Sequence, residues 1–374
     1  MKYREFGNTG IKISSLGFGC MRLPMIKVGE ENIVDEEKTI EMIKRAYELG
    51  VNYFDSAFFY CGGGSEIALG KAIKGFRDKV YISTKCPSDR IKEYGSYRKV
   101  LEKQIEKLDI NYIDFYHYHG INYDHFMEVD KEYDWINGAK KAKEDGLIKH
   151  ISFSFHGKPE SMMKLVDLGI FDSVLCQYNL VDRSNEEAIA YAKSKGLGVA
   201  VMGPVGGGRV SSLPPTIAKG VGVDVKTSAE MALRFVLANP NVDCALSGMG
   251  NIDMVEENCA TASNLEPLTQ YEVDTINKMM DEKKKLAQLY CTGCSYCMPH
   301  CPQKVNIQYI FELMNAHKIY GSTEYARAEY ARLEEYKTKD ATGCIECGIC
   351  EEKCPQKLPI IEKLKECHEA LKAQ

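Results

Sequence analysis

The chain alternates between strand-like and helix-like sequence patterns from about residue 14 to residue 262. Short runs rich in β-branched and aromatic residues are each followed by a longer amphipathic segment. Five of the helical segments end at a glycine, the residue that most easily leaves a helix in a left-handed conformation. These glycines are Gly50, Gly75, Gly146, Gly169 and Gly196. Eight strand–helix units in about 250 residues are typical of a (β/α)8 barrel.

The eight predicted strands are Ser15–Arg22, Val51–Asp55, Lys79–Lys85, Tyr112–His119, Ile148–Ser154, Val174–Gln177, Gly198–Met202 and Val242–Leu246. The predicted helices are Glu37–Leu49, Ser65–Lys74, Tyr97–Leu108, Glu132–Glu144, Pro159–Leu168, Asn185–Lys195, Ser228–Ala238 and Ile252–Ala262. A doubly wound sheet is the competing fold, and it more often opens with G-x-G-x-x-G after its first strand. The sequence LGFGCMRL lacks that pattern, which favours a TIM barrel.

Further elements flank the predicted barrel. Residues Tyr3–Phe6 and Ile11–Ser14 surround a turn-rich GNTG segment, which predicts a hairpin. Thr269 and Glu272 have the spacing of a capping box, which predicts a helix running to about Leu286. Two more helices are predicted at Ile307–His317 and Thr323–Lys337. We therefore predict a barrel domain of residues 1–285 and a second, smaller domain of residues 286–374.

Cysteine spacing identifies the chemistry of the second domain. The chain has 15 cysteines, and eight of them form two groups that share the pattern C-x2-C-x2-C-x3-C-P. This is the bacterial ferredoxin spacing, in which the fourth cysteine of each group binds the other cluster. We predict one [4Fe–4S] cluster on Cys291, Cys294, Cys297 and Cys354, and a second on Cys344, Cys347, Cys350 and Cys301. Zinc also binds C-x-x-C pairs, but two complete four-cysteine runs favour iron–sulfur clusters.

The segment between the two cysteine groups is long and helix-rich. It therefore resembles the helical ferredoxins of fumarate reductase iron–sulfur subunits more than a small β-rich ferredoxin. Its tyrosines are interpreted as packing residues and not as electron carriers; they are Tyr320, Tyr325, Tyr330 and Tyr336. The predicted fold is thus an α/β chain: a (β/α)8 barrel with a small, mainly helical iron–sulfur domain.

Polar residues end three successive strands of the predicted barrel. Asp55 ends the second strand, Lys85 the third and His119 the fourth, and Tyr60 lies on the loop after Asp55. Barrel enzymes place their chemistry at this end of the strands. An ammonium beside a tyrosine stabilises the phenolate and lowers the pKa of the hydroxyl. We therefore expect Asp55 to hold Lys85, Tyr60 to act as acid and base, and His119 to orient a carbonyl oxygen.

At these residues the chain resembles the aldo-keto reductase family, over residues 3 to about 262. The shared patterns are FGNTG-x-K-x-S, D-S-A-x-x-Y followed by Ser65-Glu66, the strand end S-T-K, and I-D-F-Y-x-x-H. The whole chain resembles the bacterial subgroup in which this barrel is fused to a ferredoxin-like tail. The resemblance implies hydride transfer between a nicotinamide cofactor and a small aldehyde or ketone. It also implies that Tyr60 is the general acid, supported by Lys85, Asp55 and His119.

The resemblance implies cofactor contacts as well. Those carried over are Ser154 and Gln177 to the carboxamide, Met202 in the place of a stacking aromatic residue, and Glu257 with Asn258 on the adenine side. The segment Pro204–Arg209, which contains Gly206, is either a backbone cradle for pyrophosphate or a flexible loop. Gly203, directly before it, is also expected to contact the cofactor. Gly248 and Met254 stand where NADPH-specific members have a lysine and an arginine. The choice between NADH and NADPH stays open, with Arg209 as a further source of charge.

Other residues near the predicted site have less context. His117 lies two residues before His119 and is expected on the same side of the strand, as a satisfied polar residue lining the barrel mouth. For His156 we weigh the same structural role against a second contact to substrate. Cys20 and Cys61 are expected near the site, and neither has the context of a nucleophile.

Composition excludes several classes of partner. The net charge of −5 provides no basic surface for nucleic acid or an anionic membrane. MKYREFGNTG lacks the apolar core of a signal peptide, and no apolar run approaches the roughly 18 residues of a membrane span. We therefore expect a cytoplasmic protein.

Three functions fit the sequence. The first is an enzyme that couples carbonyl chemistry to electron transfer through the two clusters. Because nicotinamide prefers two-electron steps, this function calls for a flavin, for which no motif is visible, or for a ferredoxin or flavoprotein partner. The second is an NAD(P)H carbonyl reductase whose clusters are structural. The third is a non-catalytic electron-transfer or nicotinamide-sensing module.

Overall fold

The computed structural model describes residues 1–29, 31–87, 96–205, 225–264, 266–288, 297–318, 321–333, 335, 338–354 and 358–372. The chain forms two compact units. One comprises Met1–Pro204 and Ala232–Leu268, and the other comprises Val205–Met231 and Thr269–Gln374. The domain boundary near residue 285 stays a prediction, because that residue lies within the helix Gln270–Gln288, which this division assigns to the second unit.

Twelve strands lie in the described residues. They are β1 (Tyr3–Glu5), β2 (Lys12–Ser14), β3 (Leu16–Gly19), β4 (Met25–Val28), β5 (Glu31–Val34), β6 (Tyr53–Asp55), β7 (Tyr81–Cys86), β8 (Ile113–Tyr118), β9 (Ile148–Phe155), β10 (Ser173–Gln177), β11 (Gly198–Met202) and β12 (Cys244–Gly248). Eight of them close a barrel in the order β3, β6, β7, β8, β9, β10, β11, β12 and back to β3. All neighbouring barrel strands are parallel. The TIM-barrel prediction and all eight predicted strands are confirmed.

Helices alternate with the barrel strands as predicted. The described helices between residues 36 and 264 are α1 (Glu36–Glu48), α2 (Ser65–Ala72), α3 (Ser96–Leu108), α4 (Tyr123–Tyr133), α5 (Trp135–Glu144), α6 (Pro159–Asp167), α7 (Glu186–Ser194), α8 (Ser228–Ala238) and α9 (Ile252–Asn264). The prediction of one helix over Glu132–Glu144 is wrong. Asp134 adopts φ +54 between α4 and α5, and the Asp130 carboxylate accepts from the Ile136 amide. A left-handed residue ends one helix, and the next starts immediately after it.

A hairpin closes the amino-terminal end of the barrel. β1 and β2 pair antiparallel as predicted. The ring of Phe6 packs inside the barrel, 5.0 Å from the Phe115 ring centroid and 5.8 Å from that of Tyr53. A Cβ on Gly198 would lie 2.7 Å from the Phe6 ring, so this approach requires glycine. A second hairpin, β4–β5, has no counterpart in the prediction because its strands mix polar and apolar residues without alternation.

The second unit is mainly helical, as predicted. Its helices are α10 (Gln270–Gln288), α11 (Ile307–Lys318), α12 (Thr323–Ala331), α13 (Ile349–Lys353) and α14 (Ile360–Leu371). The capping box is confirmed, since Glu272 accepts from the Thr269 amide at 2.7 Å. Phe311, Met314 and Leu364 are buried in a core against which several cysteines pack. α13 and α14 were not predicted, and α12 ends before the predicted Lys337.

Candidate functional site

A buried ion pair forms the centre of the candidate site at the carboxyl ends of the barrel strands. Lys85 Nζ lies 2.5 Å from Asp55 Oδ2, and both side chains are about 1–2% exposed. Lys85 also donates to the Ser56 carbonyl at 2.6 Å. Ser83 donates to Asp55 Oδ1 at 2.6 Å. Because each charge has additional hydrogen bonds, burial of the pair is compensated, and the ammonium has one orientation.

Tyr60 lies directly against this ammonium. Lys85 Nζ is 4.7 Å from the centroid of the Tyr60 ring. The Tyr60 ring meets the His119 ring edge to face, with centroids 6.3 Å apart. The structure therefore brings together all four residues that the sequence suggested for acid–base chemistry: Asp55, Tyr60, Lys85 and His119.

Burial and charge act in opposite directions on Tyr60. Burial raises the pKa of the Tyr60 hydroxyl above its ordinary value, and Lys85 counteracts that rise through its charge and a hydrogen bond. The ammonium therefore has the expected effect on the pKa, but the net shift is upward and not downward. Burial lowers the pKa of Lys85, yet Asp55 and Tyr60 together raise it above its ordinary value. Tyr60 is thus held protonated beside a permanent cation, which suits a proton donor.

Three histidines line or underlie the site, and each is kept neutral. Burial and then Lys85 lower the pKa of His119 to about 4. The same causes lower the pKa of His117 to about 3 and lower the pKa of His156. A neutral imidazole offers one donor and one acceptor, so His119 can hydrogen-bond a carbonyl oxygen without competing with Tyr60 for its proton.

His117 does not occupy the position expected from the sequence. It is fully buried inside the barrel, and a hydrogen bond with the Phe153 main chain partly offsets the effect of burial on its pKa. The expected position at the barrel mouth is therefore wrong. The alternation of β8 points residues 115, 117 and 119 inward, and His117 lies one step deeper than His119, where a strand neighbour supplies no side-chain partner. His156 lies at the rim, where its ring approaches Gly120.

The start of α2 fixes the strand ends around the site. Ser65 donates to the Cys20 carbonyl at 2.9 Å and pairs with the Ser56 hydroxyl at 2.7 Å. This contact joins the end of β3 to the end of β6, which carries Asp55. Burial raises the pKa of the Cys20 thiol well above its ordinary value and also raises that of Cys61. Both thiols stay protonated, in agreement with the absence of a nucleophile context.

The residues expected to contact a nicotinamide complete the same rim. Ser154, Gln177, Met202 and Gly248 lie at or near the ends of β9, β10, β11 and β12. The Ser154 hydroxyl accepts from the Gly120 amide at 2.8 Å, which leaves its own proton free to donate. A Cβ on Gly203 (φ +62) would lie 2.9 Å from the Gln177 amide. Hydroxyl and amide groups are the donors and acceptors that a carboxamide requires, so these residues fit the cofactor.

The adenine-side residues lie on α9. Asn258 is buried and donates to the Ser247 hydroxyl at 3.3 Å, which connects the helix to the end of β12. Glu257 lies on the same helix and is exposed. Gly206 and Arg209 of the glycine-rich segment lie outside the described residues. Met254 is 48% exposed, so the position expected to hold a phosphate-binding arginine is open to solvent.

Four cysteines of the second unit line one open pocket: Cys301, Cys344, Cys347 and Cys350. Its volume of about 350 Å3 includes space that is open to solvent. They are the four residues that the crossed pattern suggested for the second cluster, and four cysteines are the ligands that a [4Fe–4S] cluster takes. Of the other group, Cys354 is buried and Cys297 half-buried. Cys291 and Cys294 lie outside the described residues.

The tyrosines described in this unit take part in packing contacts. Tyr330 is buried in the helical core and its hydroxyl is 2.9 Å from His368 Nδ1. Tyr325 packs against the same core. Tyr320 and Tyr336 lie outside the described residues. No helix in the described part of the chain is long and apolar enough to cross a membrane.

Fold and site together define a parallel-barrel oxidoreductase with an appended iron–sulfur region, and comparison with known proteins agrees. Residues 15–281 match the Aldo/keto reductase family, and residues 290–358 match a 4Fe-4S dicluster domain. The chain belongs to the aldo/keto reductase family and carries a 4Fe-4S dicluster domain after its barrel.

Individual relatives match about three quarters of the chain. L-galactose dehydrogenase from Arabidopsis thaliana is 28% identical over 317 residues, which cover 76% of this chain and 96% of that protein. The holo form of aldo-keto reductase AKR11C1 from Bacillus halodurans is 27% identical with a TM-score of 0.64, covering 74% of this chain and 96% of that one. The thermostable aldo-keto reductase Tm1743 shares the fold at 24% identity and a TM-score of 0.61, covering 74% and 99%.

Proposed function

We propose that this aldo/keto reductase interconverts a small carbonyl compound and its alcohol with a nicotinamide cofactor, and that its clusters relay electrons to or from that reaction. The observation that carries the first part is the Lys85 ammonium, held by Asp55 at 2.5 Å and lying 4.7 Å from the Tyr60 ring. Such a cation stabilises negative charge as it develops on the tyrosine oxygen.

Each residue of the chain has a defined task in this proposal. Tyr60 donates its proton to the carbonyl oxygen in reduction and takes it back in oxidation. Lys85 stabilises the phenolate, and Asp55 keeps Lys85 in place. His119, neutral because its pKa is about 4, donates a hydrogen bond that orients the substrate oxygen. The nicotinamide, held by Ser154, Gln177 and Met202, supplies the hydride when bound.

The relay rests on the 4Fe-4S dicluster match and on the four-cysteine pocket. Two one-electron clusters together carry the two electrons of a hydride. Because nicotinamide exchanges electrons in pairs, a flavin or a flavoprotein or ferredoxin partner would complete the pathway. The clusters would then transfer electrons between the carbonyl reaction and a one-electron carrier.

The test is anaerobic. The protein is reduced with dithionite and freed of excess reductant, NAD⁺ or NADP⁺ is added, and the iron–sulfur absorbance is followed together with reduced nicotinamide. Recovery of the cluster absorbance as reduced nicotinamide forms supports the relay. Clusters that stay reduced while the nucleotide binds contradict direct exchange. Failure of NADH and NADPH to reduce any of a series of simple aldehydes contradicts the carbonyl reaction itself.

A further inference from the structure

A buried polar network lies on the outer face of β7, directly behind the catalytic candidate Lys85. Its central residue is Gln104 of α3, which is fully buried. Gln104 Nε2 donates to the Lys85 carbonyl at 3.1 Å and to Glu66 Oε1 at 2.5 Å. Tyr116 of β8 donates to Gln104 Oε1 at 2.6 Å. One amide therefore connects the main chain of Lys85 to a second strand and to a helix.

The chemistry of the partners permits only one orientation of this amide. A carboxylate and a carbonyl accept hydrogen bonds and cannot donate them. The NH2 group of Gln104 must therefore face Glu66 and the Lys85 carbonyl, and its oxygen must face the Tyr116 hydroxyl. Burial raises the pKa of Tyr116 well above its ordinary value, so the hydroxyl remains a donor. An amide with every hydrogen bond satisfied and a single orientation is a rigid connection.

Glu66 belongs to the same network, and its buried negative charge is balanced by hydrogen bonds and an ion pair. It is fully buried, accepts from the Thr84 hydroxyl at 2.7 Å and pairs with Lys107 at 2.6 Å. Thr84 precedes Lys85 in β7, so two successive residues of the strand end are held from outside the barrel. Inside the barrel, Asp55 and the Ser56 carbonyl hold the ammonium of the same lysine. Lys85 is thus fixed from both faces of its strand.

We propose that Gln104, with Tyr116 and Glu66, is a positioning residue that sets the distance between the Lys85 ammonium and the Tyr60 hydroxyl. The argument rests on the proposed role of Lys85 in carbonyl chemistry. The network lies outside the barrel, behind the strand that carries Lys85. Its effect reaches the reaction through the strand end, where a displacement of about 1 Å costs as much as a hundredfold in rate.

The chain contains a matched control for the test. Tyr116 and Tyr118 lie on the same strand, each is about 1% exposed, and each donates one hydrogen bond of 2.6 Å. The Tyr118 hydroxyl bonds to the carbonyl of Trp135 and not to the network. Tyr116→Phe and Tyr118→Phe therefore remove the same group from equivalent depths, but only the first releases Gln104.

The experiment compares the two variants by pH–rate profiles of carbonyl reduction. In Tyr116→Phe we expect kcat to fall about tenfold with little change in the nucleotide Kd. The alkaline limb should move to higher pH, because Lys85 lowers the pKa of Tyr60 and a displaced Lys85 lowers it less. Tyr118→Phe should keep the wild-type profile. Gln104→Met should act in the same direction as Tyr116→Phe and more strongly.

Hydrogen exchange of the segment 81–86 gives a second readout that needs no substrate. Faster exchange there in Tyr116→Phe but not in Tyr118→Phe supports the network. Equal exchange and equal pH profiles in the two variants overturn it. If the wild-type chain reduces no carbonyl, the proposed function fails, and the exchange comparison still decides whether the network holds the Lys85 strand end.

Discussion

The candidate site in the barrel and the cysteine groups of the second unit are built in different ways. The barrel site takes one residue from each of several strands, and Asp55 and His119 are distant in sequence. The cysteine groups each fit within eleven residues, 291–301 and 344–354. The spacing of such a group already implies its ligand, whereas the barrel site exists only once parallel strands place their ends at a common rim.

The two regions also differ in what holds the functional groups in place. In the barrel, the protein itself supplies the opposing charges and hydrogen bonds, as Asp55 and Ser56 do for Lys85. In the second unit, the cysteines surround a pocket, and bonds to a cluster would join them. Chemistry in the barrel therefore depends on electrostatic positioning, and cluster binding depends on ligand count. Substitutions in one region should leave the structure and the bound groups of the other unchanged.

The largest expected effect is that of Tyr60→Phe. This change removes the proton donor and keeps the ring against Lys85, so carbonyl reduction should fall by roughly 10²–10⁴-fold. Iron and sulfide content should match wild type, because no cysteine is touched. The measurements are steady-state reduction of an aldehyde and iron analysis of the same sample. Activity equal to that of the wild type would show that Tyr60 is not the proton donor.

Cys354→Ser should remove about half of the iron, since a [4Fe–4S] cluster depends on four thiolates. By the crossed pattern, the damaged cluster is that of Cys291, Cys294 and Cys297. Cys301→Ser is the matched control, expected to damage the other cluster. Electron paramagnetic resonance of the reduced variants distinguishes the two. If each serine variant damages the cluster of its own sequence group, the crossed assignment is wrong.

His117→Leu should alter stability in a pH-dependent way. The pKa of His117 is about 3 in the folded chain and 6.5 is its ordinary value. Below pH 6.5 the unfolded chain binds a proton that the folded chain does not, so the free energy of unfolding falls as pH falls. His117 should account for about 2 kcal/mol of that fall between pH 7 and pH 5, and His117→Leu should remove it.

Unfolding of the barrel can be followed by fluorescence of Trp135, the single tryptophan, which is buried against Tyr118. The exposed His125 provides the control, since His125→Leu makes the same chemical change without burial. An acid dependence that is the same in His117→Leu and wild type would show that His117 binds a proton as readily in the folded chain as in the unfolded chain.

The smallest expected effect concerns the choice of nucleotide. Met254→Arg adds a cation at an exposed position where the family resemblance implies one for binding of NADPH. We expect the Kd of NADPH to fall about fivefold, equivalent to about 1 kcal/mol for a charge-assisted contact, and that of NADH to stay unchanged. Ala260→Arg adds the same charge farther along α9 and should have no effect. If Met254→Arg lowers the Kd of NADH and of NADPH equally, the 2′-phosphate binds at another position.

Sequence patterns were sufficient for the barrel strands because each is a short β-branched run bounded by turn residues. Sequence patterns failed where an element depended on backbone conformation or on strands without a regular alternation of residue types. Asp134 breaks a helix in a left-handed conformation that the sequence does not announce. The β4–β5 hairpin lacks alternation, and α14 lies beyond the patterns that defined the second domain.

For function, the sequence by itself determined the pairing of a barrel with two ferredoxin-type cysteine groups, and it singled out Asp55, Tyr60, Lys85 and His119. These features are local: strand ends, short spacings and residue types. Only the tertiary structure decided that His117 is buried inside the barrel and that Gln104 connects Lys85 to Tyr116 and Glu66. Such relations depend on which side chains of distant segments meet and on whether water is excluded between them, and no spacing along a chain encodes that.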